Sequence, residues 1–471
     1  MSTHDPGHPV DDSDEEQDRR DEELRKYREM LRKGSGTPSI EVLEELIAYC
    51  YDREQYDDAL QYVTQLLNLV PYSADNWLRK GLILSNLYRY DDALQAFDHA
   101  LSLNPVDPEI LINRGITLDD LGRTEEALAS FDSVLEIDPG NMDARFNKGI
   151  SLEKAGRYEE ALTLFRAILD EVPTHKDAWY EMGYCYDYLD RPRESLRCYD
   201  EHLNLDPNNY NAWYNRGIVL SRMAHYTSAI ESYDLSLALH EQFPAAWYNK
   251  GNAMANIGRL HDAIGCYKET LRYDAKDVPA WHNLGNAYEE LGDPREAIRC
   301  FTEATRHDAE HYESYFGRGS CYEAIGEMRH ALTDYNKALS LCRDYPELWY
   351  AKADLLYNMG KVRESLVSYR MVTRLEPENF EAWLDYGETL FELGFVRQAL
   401  KALDRSVEAH PQSADPHYAR ARVLLALNRI HEAVESLKAA FTLDPSKRVL
   451  FQEEFPAART MKEFRQLLGT G

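Results

Sequence analysis

The 471-residue chain has few cysteines and no long apolar run. No stretch of about 18 apolar residues could span a bilayer, and no basic start followed by an apolar stretch marks a signal peptide. The seven cysteines include no C-x-x-C pair, which argues against a disulfide framework and favours reduced thiols. We therefore expect a cytoplasmic protein that does not insert into membranes.

Positive charge is also scarce. The chain has 53 lysines and arginines against 82 acidic residues, a formal net charge of −29. A field of this sign repels phosphate and attracts basic partners, so nucleic acid is not an expected ligand. Hydrophobic residues make up 44% of the chain and aromatic residues 11%, which is enough to bury a large core.

The tryptophans are separated only by multiples of 34 residues. They are Trp77, Trp179, Trp213, Trp247, Trp281, Trp349 and Trp383. A fixed period of this length indicates a repeat array. With Trp77 as repeat position 4, the register runs from Ile40 to Lys447 without insertion and holds twelve repeats.

Other repeat positions also keep one type of side chain. Position 8 is small, as in Gly81 and Ala353; position 20 is mostly alanine; position 24 is mostly aromatic; and position 32 is often proline. The apolar positions follow helical spacing in two segments of about 14 residues, which predicts two amphipathic helices, A and B, per repeat. Position 15 is glycine in seven repeats, as a left-handed turn requires. Tyr88, Asp190 and Ala224 depart from it, so their turns are expected to be strained or differently shaped.

The pattern W-x-x-x-G-x-x-Y/L, then A-x-x-x-F/Y, then P, resembles the tetratricopeptide repeat family over 408 of the 471 residues. The resemblance implies an all-α fold, a right-handed α-solenoid or superhelix of helix-turn-helix repeats, with a concave groove lined mainly by the A helices. Residues 40–447 form the repeats. Residues 1–39 are predicted to be an acidic, largely disordered segment with a short charged helix over 21–33. Residues 448–471 are predicted to be a C-terminal capping helix.

No catalytic residue, metal or cofactor is expected, because the repeat assigns almost every residue a packing position. His307 and His311 have the i, i+4 spacing of a metal pair, but no third ligand is evident and a surface location is favoured. Cys198, Cys266 and Cys300 share position 23 and are interpreted as buried packing residues.

Two columns of helix A are candidate peptide-binding residues. Position 5, interrupted by His282, carries Phe146, Tyr180, Tyr214, Tyr248, Phe316 and Tyr350. These rings either contact a peptide or pack against the next helix A. Position 6, interrupted by Glu181, carries Asn113, Asn147, Asn215, Asn249 and Asn283. This column is similar to the asparagine ladder of O-linked N-acetylglucosamine transferases, whose catalytic module is absent here, although asparagine is also the ordinary consensus at this position.

Positions 9, 12 and 13 complete the groove with eleven acids against Lys154, Arg222 and Arg422. The acids expected to steer a basic partner are Asp119, Asp120, Glu153, Glu289 and Glu290. The lysine that family members use at position 5 to clamp a C-terminal carboxylate is absent.

The sequence therefore predicts a non-catalytic scaffold that binds an extended, basic peptide in its concave groove. The alternative is a substrate-receptor subunit of an enzyme assembly whose catalytic chain is separate. RNA binding would require a basic groove.

Overall fold

The structure, a computed structural model, describes residues 22, 24–29, 38–456 and 462–468. This part of the chain contains 26 helices from residue 40 onward and no strand. Residues 24–29 are also helical, inside the short helix predicted over 21–33. The rest of the predicted disordered segment ahead of Pro38 lies outside the described residues. None of the described helices is both long enough and apolar enough to cross a membrane.

The chain divides into two compact units, Met1–Leu239 and His240–Gly471. The first unit holds repeats 1 to 6, and the second holds repeats 7 to 12 and the C-terminal segment. In every repeat helix A has 13 residues and helix B has 14. The helices of the first unit are α1 (Ile40–Asp52), α2 (Tyr56–Leu69), α3 (Ala74–Asn86), α4 (Tyr90–Leu103), α5 (Pro108–Asp120), α6 (Thr124–Ile137), α7 (Met142–Lys154), α8 (Tyr158–Glu171), α9 (Lys176–Tyr188), α10 (Pro192–Leu205), α11 (Tyr210–Arg222) and α12 (Tyr226–Leu239).

The helices of the second unit continue the same alternation of A and B. They are α13 (Pro244–Asn256), α14 (Leu260–Tyr273), α15 (Val278–Glu290), α16 (Pro294–His307), α17 (Tyr312–Ala324), α18 (Met328–Leu341), α19 (Pro346–Asn358), α20 (Val362–Leu375), α21 (Phe380–Glu392), α22 (Val396–Ala409), α23 (Ala414–Ala426), α24 (Ile430–Leu443), α25 (Ser446–Glu454) and α26 (Lys462–Leu468). Each unit is thus an α-solenoid of helix-turn-helix repeats.

The periodic residues make the contacts that hold each repeat together. The ring of Phe97 in α4 lies directly against Gly81 of α3, where a Cβ would stand 2.4 Å from the ring. Only a residue without a side chain allows this approach, which explains the pairing of positions 8 and 24. Trp77 links its repeat to the preceding one, since its Nε1 donates to the Pro71 carbonyl oxygen at 2.9 Å.

The turn between helices A and B has one conformation throughout. All twelve residues at position 15 have positive φ, from 56° at Asp190 to 82° at Gly326. The turns at Tyr88, Asp190 and Ala224 therefore keep the left-handed conformation that glycine adopts elsewhere. The backbone is strained there, because these residues have a Cβ atom. Glu54 and Asn428 adopt the same conformation.

Replacing Ala224 with glycine is expected to raise the free energy of unfolding by about 0.5–1 kcal/mol. The variant relieves the left-handed strain of about 1–2 kcal/mol, and the greater freedom of glycine in the unfolded chain offsets part of the gain. Chemical denaturation measures the change. The reverse substitution, Gly258→Ala at the same repeat position, should destabilise, and a stabilising effect there would contradict this account of the turn.

The C-terminal segment differs from the single capping helix that was predicted. It forms two short helices, α25 and α26. Pro456 follows α25 and cannot donate a backbone hydrogen bond, so one continuous helix is disfavoured there. Phe451 of α25 and Phe464 of α26 are buried in a cluster with Phe441 of α24. Both short helices thus cover the apolar side of the last helix B.

Candidate functional site

The candidate binding surface is the A-helix face, which we define as positions 5, 6, 9, 12 and 13 of the A helices. The position-5 rings on it are half-buried and pack against the position-24 ring of helix B in their own repeat. Centroid separations run from 5.5 Å for His282–Phe301 to 6.1 Å for Tyr214–Tyr233. The rings thus belong partly to the core, and they pack on their own helix B in addition to any neighbouring helix A. The six aromatic members are Phe146, Tyr180, Tyr214, Tyr248, Phe316 and Tyr350.

The asparagines at position 6 are engaged inside the chain. Asn215 Nδ2 donates to the Tyr180 hydroxyl at 2.9 Å, one repeat earlier, and Asn283 Nδ2 donates to the Tyr248 hydroxyl at 3.0 Å. Asn113 and Asn147 donate instead to backbone carbonyl oxygens of their own helices, and Asn249 also interacts within the chain. Two members of the predicted ladder therefore connect neighbouring repeats, and its amides are not an open row of donors.

Cations offset part of the negative charge of the predicted steering acids in the first unit. Lys154 Nζ lies 2.7 Å from Asp119 Oδ2 and 3.9 Å from Asp120 Oδ1. Arg222 forms an ion pair with Asp187 on the same face. These contacts reduce the negative charge that this unit presents to a ligand.

Glu153 pairs with Glu181, which stands in the asparagine column of the next repeat. Burial raises the pKa of both carboxyls, and the negative charge of Glu153 raises the pKa of Glu181 further. The Cys185 thiol donates to Glu153 Oε2 at 3.7 Å. Both shifts favour the protonated form, so the pair carries less negative charge than two isolated carboxylates would. Glu181 interrupts the asparagine column in the sequence, and this exception is the signal by which the carboxyl pair could have been found.

A cavity of about 450 Å³ opens on the A-helix face of the first unit. Tyr184 and Tyr188 line it with their rings 4.7 Å apart, next to Asn215 and the ion pair of Asp187 with Arg222. Of the residues predicted to bind peptide, it includes Asn215. The two tyrosines were not predicted from the sequence, because neither belongs to a column that repeats.

The acids of the second unit are partnered mainly by tyrosine hydroxyls. Tyr369 donates to Asp354 Oδ1 at 2.5 Å, Tyr357 donates to Glu392 Oε2 at 2.8 Å, and Tyr350 donates to Asp385. Two further bonds of this kind join Tyr335 to Glu323 and Tyr418 to Glu454. A hydroxyl satisfies a carboxylate as an acceptor and leaves its charge in place. We call these five bonds the tyrosine–carboxylate network.

Burial modifies the charge of this network. It raises the pKa of Asp385 to about 6, even though the hydrogen bond from Tyr350 opposes the shift. Burial also raises the pKa of Glu388, which Arg422 contacts at 3.2 Å. Asp385 was not predicted from the sequence, because it stands at position 6 beyond the last of the five asparagines and belongs to no acidic column. The predicted acids Glu289, which accepts from Ser320, and Glu290, which is exposed, lie in the same unit.

The described residues contain no group of three or more histidine, cysteine or acidic side chains placed to hold a metal ion. His311 caps α17, where its Nδ1 accepts from the Ser314 backbone. His307 lies 3.9 Å from Glu303 in its own helix. Cys198, Cys266 and Cys300 are buried free thiols.

Comparison with known proteins gives matches to repeat families. A tetratricopeptide-repeat family matches residues 50–108, 78–142 and 112–176, and a second one matches 152–215. The family described as the cilia and flagella-associated protein 70 C-terminal domain matches residues 231–454. None of the curated proteins compared with the chain matches it.

Similar solved structures include three helical-repeat proteins. MamA is 22% identical, with 34% of this chain and 95% of that chain covered and a TM-score of 0.34. Cut9–Hcn1, an APC/C hetero-tetramer, is 14% identical, with 87% and 94% covered and a TM-score of 0.39. YrrB, described as a TPR protein with an unusual peptide-binding site, is 20% identical, with 39% and 95% covered and a TM-score of 0.36.

The family matches over residues 50–215 cover repeats whose register the tryptophans set. The later repeats keep the same two helix lengths and the same left-handed turn through Asn428 of repeat 12. Neither feature changes between the two units. The chain therefore belongs to the tetratricopeptide-repeat family.

Proposed function

We propose that this protein is a non-catalytic interaction scaffold that binds an extended, basic peptide segment, and that the A-helix face of the second unit is the main site of recognition. The tyrosine–carboxylate network carries the proposal. Its carboxylates accept hydrogen bonds from neutral hydroxyls, which add no positive charge, and Arg422 also contacts Glu454 at 3.6 Å; they are Glu323, Asp354, Asp385, Glu392 and Glu454.

A lysine or arginine from a partner would supply the missing positive charge. Complementary charge of this kind mostly accelerates encounter and selects the partner, while buried aromatic contacts slow dissociation. Phe316 and Tyr350 present half-buried rings on the same face for the second role. In the first unit, the predicted contacts at Tyr180, Tyr214 and Asn215 would add contact area but less steering, because Lys154 and Arg222 pair with acids there.

A triple variant of the second unit tests this proposal. Asp354→Asn, Glu388→Gln and Glu392→Gln keep the size of the three side chains and one acceptor oxygen in each, and remove their charges. We expect the Kd of a fluorescein-labelled lysine-rich peptide to rise roughly tenfold at low salt, with a weaker dependence on salt, because the removed charges steer the encounter. Fluorescence anisotropy and stopped-flow association rates measure both effects.

The matched control removes three acids from B helices of the same unit. Asp262→Asn, Glu269→Gln and Glu435→Gln change the net charge equally, away from the A-helix face. Equal losses in the two variants would show a general charge effect and contradict the assigned surface. The role as a substrate receptor for a separate enzyme and the cytoplasmic location stay predictions.

A further inference from the structure

A recurring ion pair joins consecutive repeats on the side where the B helices lie. The cation at position 7 of one repeat contacts the aspartate at position 25 of the preceding repeat. Arg114 lies 2.9 Å from Asp98, and Arg216 lies 2.7 Å from Asp200. The same contact joins Lys148 to Asp132 and Arg420 to Asp404. These junctions therefore pair one positive charge with one negative charge.

The junction between repeats 10 and 11 breaks this rule at both positions. Position 25 is Arg370, so a cation occupies the place of the aspartate, and position 7 is Tyr386 in place of the cation. The Tyr386 ring packs edge-on against Trp383, with centroids 6.2 Å apart. Arg166 and Lys268 also place a cation at position 25, but Met182 and Leu284 then occupy position 7, so the aromatic ring of Tyr386 distinguishes this junction.

A cavity of about 490 Å³ opens at this junction, and we call it the junction pocket. Arg370 and Arg374 of α20 line one side, and Lys401 and Arg405 of α22 line the other. All four cations are exposed, and no acid belongs to the lining among residues 38–456. Arg405 contacts Glu408 at 3.0 Å. The other three cations form no ion pair within the described part of the chain.

The equivalent cavity between repeats 7 and 8 shows that the repeat architecture does not require this charge. It measures about 720 Å³ and also carries cations, but Glu296 and Glu303 are part of its lining. Arg299 lies 2.7 Å from Glu296. Arg272 lies 3.2 Å from the neighbouring Glu269. Acids thus offset most of the positive charge of this cavity, whereas the lining of the junction pocket contains cations and no acid.

We propose that the junction pocket binds an acidic, extended segment of a partner protein. Each wall presents two cations four residues apart on a helix, a rise of about 6 Å. Carboxylates on alternate residues of an extended chain repeat every ~6.6 Å, which matches this spacing. Trp383 and Tyr386 supply an aromatic surface between the walls. In a chain of net charge −29, an acidic segment is repelled elsewhere and attracted here. The site is separate from the A-helix face, and its failure would leave the proposed function intact.

The test uses the full chain and a fluorescein-labelled peptide of alternating glutamate and serine, followed by fluorescence anisotropy at low salt. Arg370→Gln with Arg374→Gln should raise the Kd about tenfold, since two exposed ion pairs of up to about 1 kcal/mol each are lost. The control, Lys268→Gln with Arg272→Gln, removes the same charge at the same repeat positions of the cavity between repeats 7 and 8. It should change the Kd less than about twofold. Equal effects in the two variants, or no effect in the first, would overturn the proposal.

Two further measurements separate the pocket from other sources of binding. Lys401→Gln alters the opposite wall and should raise the Kd roughly threefold; an unchanged Kd would contradict a peptide lying between the two helices. Complete displacement of the peptide by millimolar inorganic phosphate would show a simple anion site and overturn the assignment to a peptide. All substituted side chains are exposed, and circular dichroism confirms that each variant is folded.

Discussion

Replacing Phe301 with alanine is expected to lower the free energy of unfolding of the second unit by about 3–5 kcal/mol. The ring is fully buried and lies between two glycines of different repeats. A Cβ would stand 2.7 Å from the ring at Gly285 and 2.6 Å from it at Gly317. The small side chain of alanine leaves a cavity at both contacts, and the glycines cannot fill it.

Chemical denaturation measures the loss, and hydrogen exchange shows where it occurs. Because each repeat contacts mainly its neighbours, protection should fall first in the helices around α16. The control is Val367→Ala in the same unit, where the side chain is 63% exposed and little stability should be lost. A uniform loss of protection across the second unit would contradict a repeat-by-repeat account.

Replacing Glu181 with glutamine is expected to stabilise the first unit by about 2 kcal/mol at pH 8 and to have little effect near pH 5. Burial and the charge of Glu153 raise the pKa of Glu181 to about 8. The folded chain therefore holds a proton that the unfolded chain releases above about pH 4.5. Stability falls as the pH rises through this window, because the folded state binds more protons. Glutamine remains neutral and keeps a donor for Glu153.

Unfolding curves between pH 5 and pH 8 test this expectation. The slope of stability against pH should be smaller in the variant than in the unchanged chain. Lys154 and Cys185, which also face the pair, remain in both proteins. Glu136→Gln is the control, since Glu136 is exposed on helix B of the same unit and should not change the slope. Equal slopes in all three proteins would show that the carboxyl pair is not protonated.

The repeat register, the paired helices and the position of each turn could be predicted from the sequence, because these features depend on residues that recur in every repeat. The tryptophan at position 4 makes the same contact wherever it occurs, and the small residue at position 8 lies against a large apolar side chain at position 24. The packing of the two helices that flank Ala224 likewise holds this residue in the left-handed conformation. The break in the C-terminal segment after α25 also has a cause in the sequence, because Pro456 cannot donate a backbone hydrogen bond.

The candidate site was predicted less well. The sequence placed Asp119, Tyr180 and Asn215 on one face of the A helices, since helical spacing decides which residues share a face. It did not show that Asn215 bonds to Tyr180 or that Lys154 pairs with Asp119. Each of these contacts joins neighbouring repeats and depends on the length and rotamer of both side chains.

The sequence by itself determined the fold of this protein, because one 34-residue pattern repeats the same local contacts twelve times. Only the tertiary structure decided which acidic side chains keep an uncompensated negative charge. Whether a carboxylate meets a lysine, another carboxyl or a tyrosine hydroxyl depends on residues on another helix, from 12 positions away for Tyr335 and Glu323 to 35 for Tyr357 and Glu392. Only the stacked helices bring those residues within hydrogen-bonding distance, and the low-dielectric surroundings then decide which of the acids remain ionised.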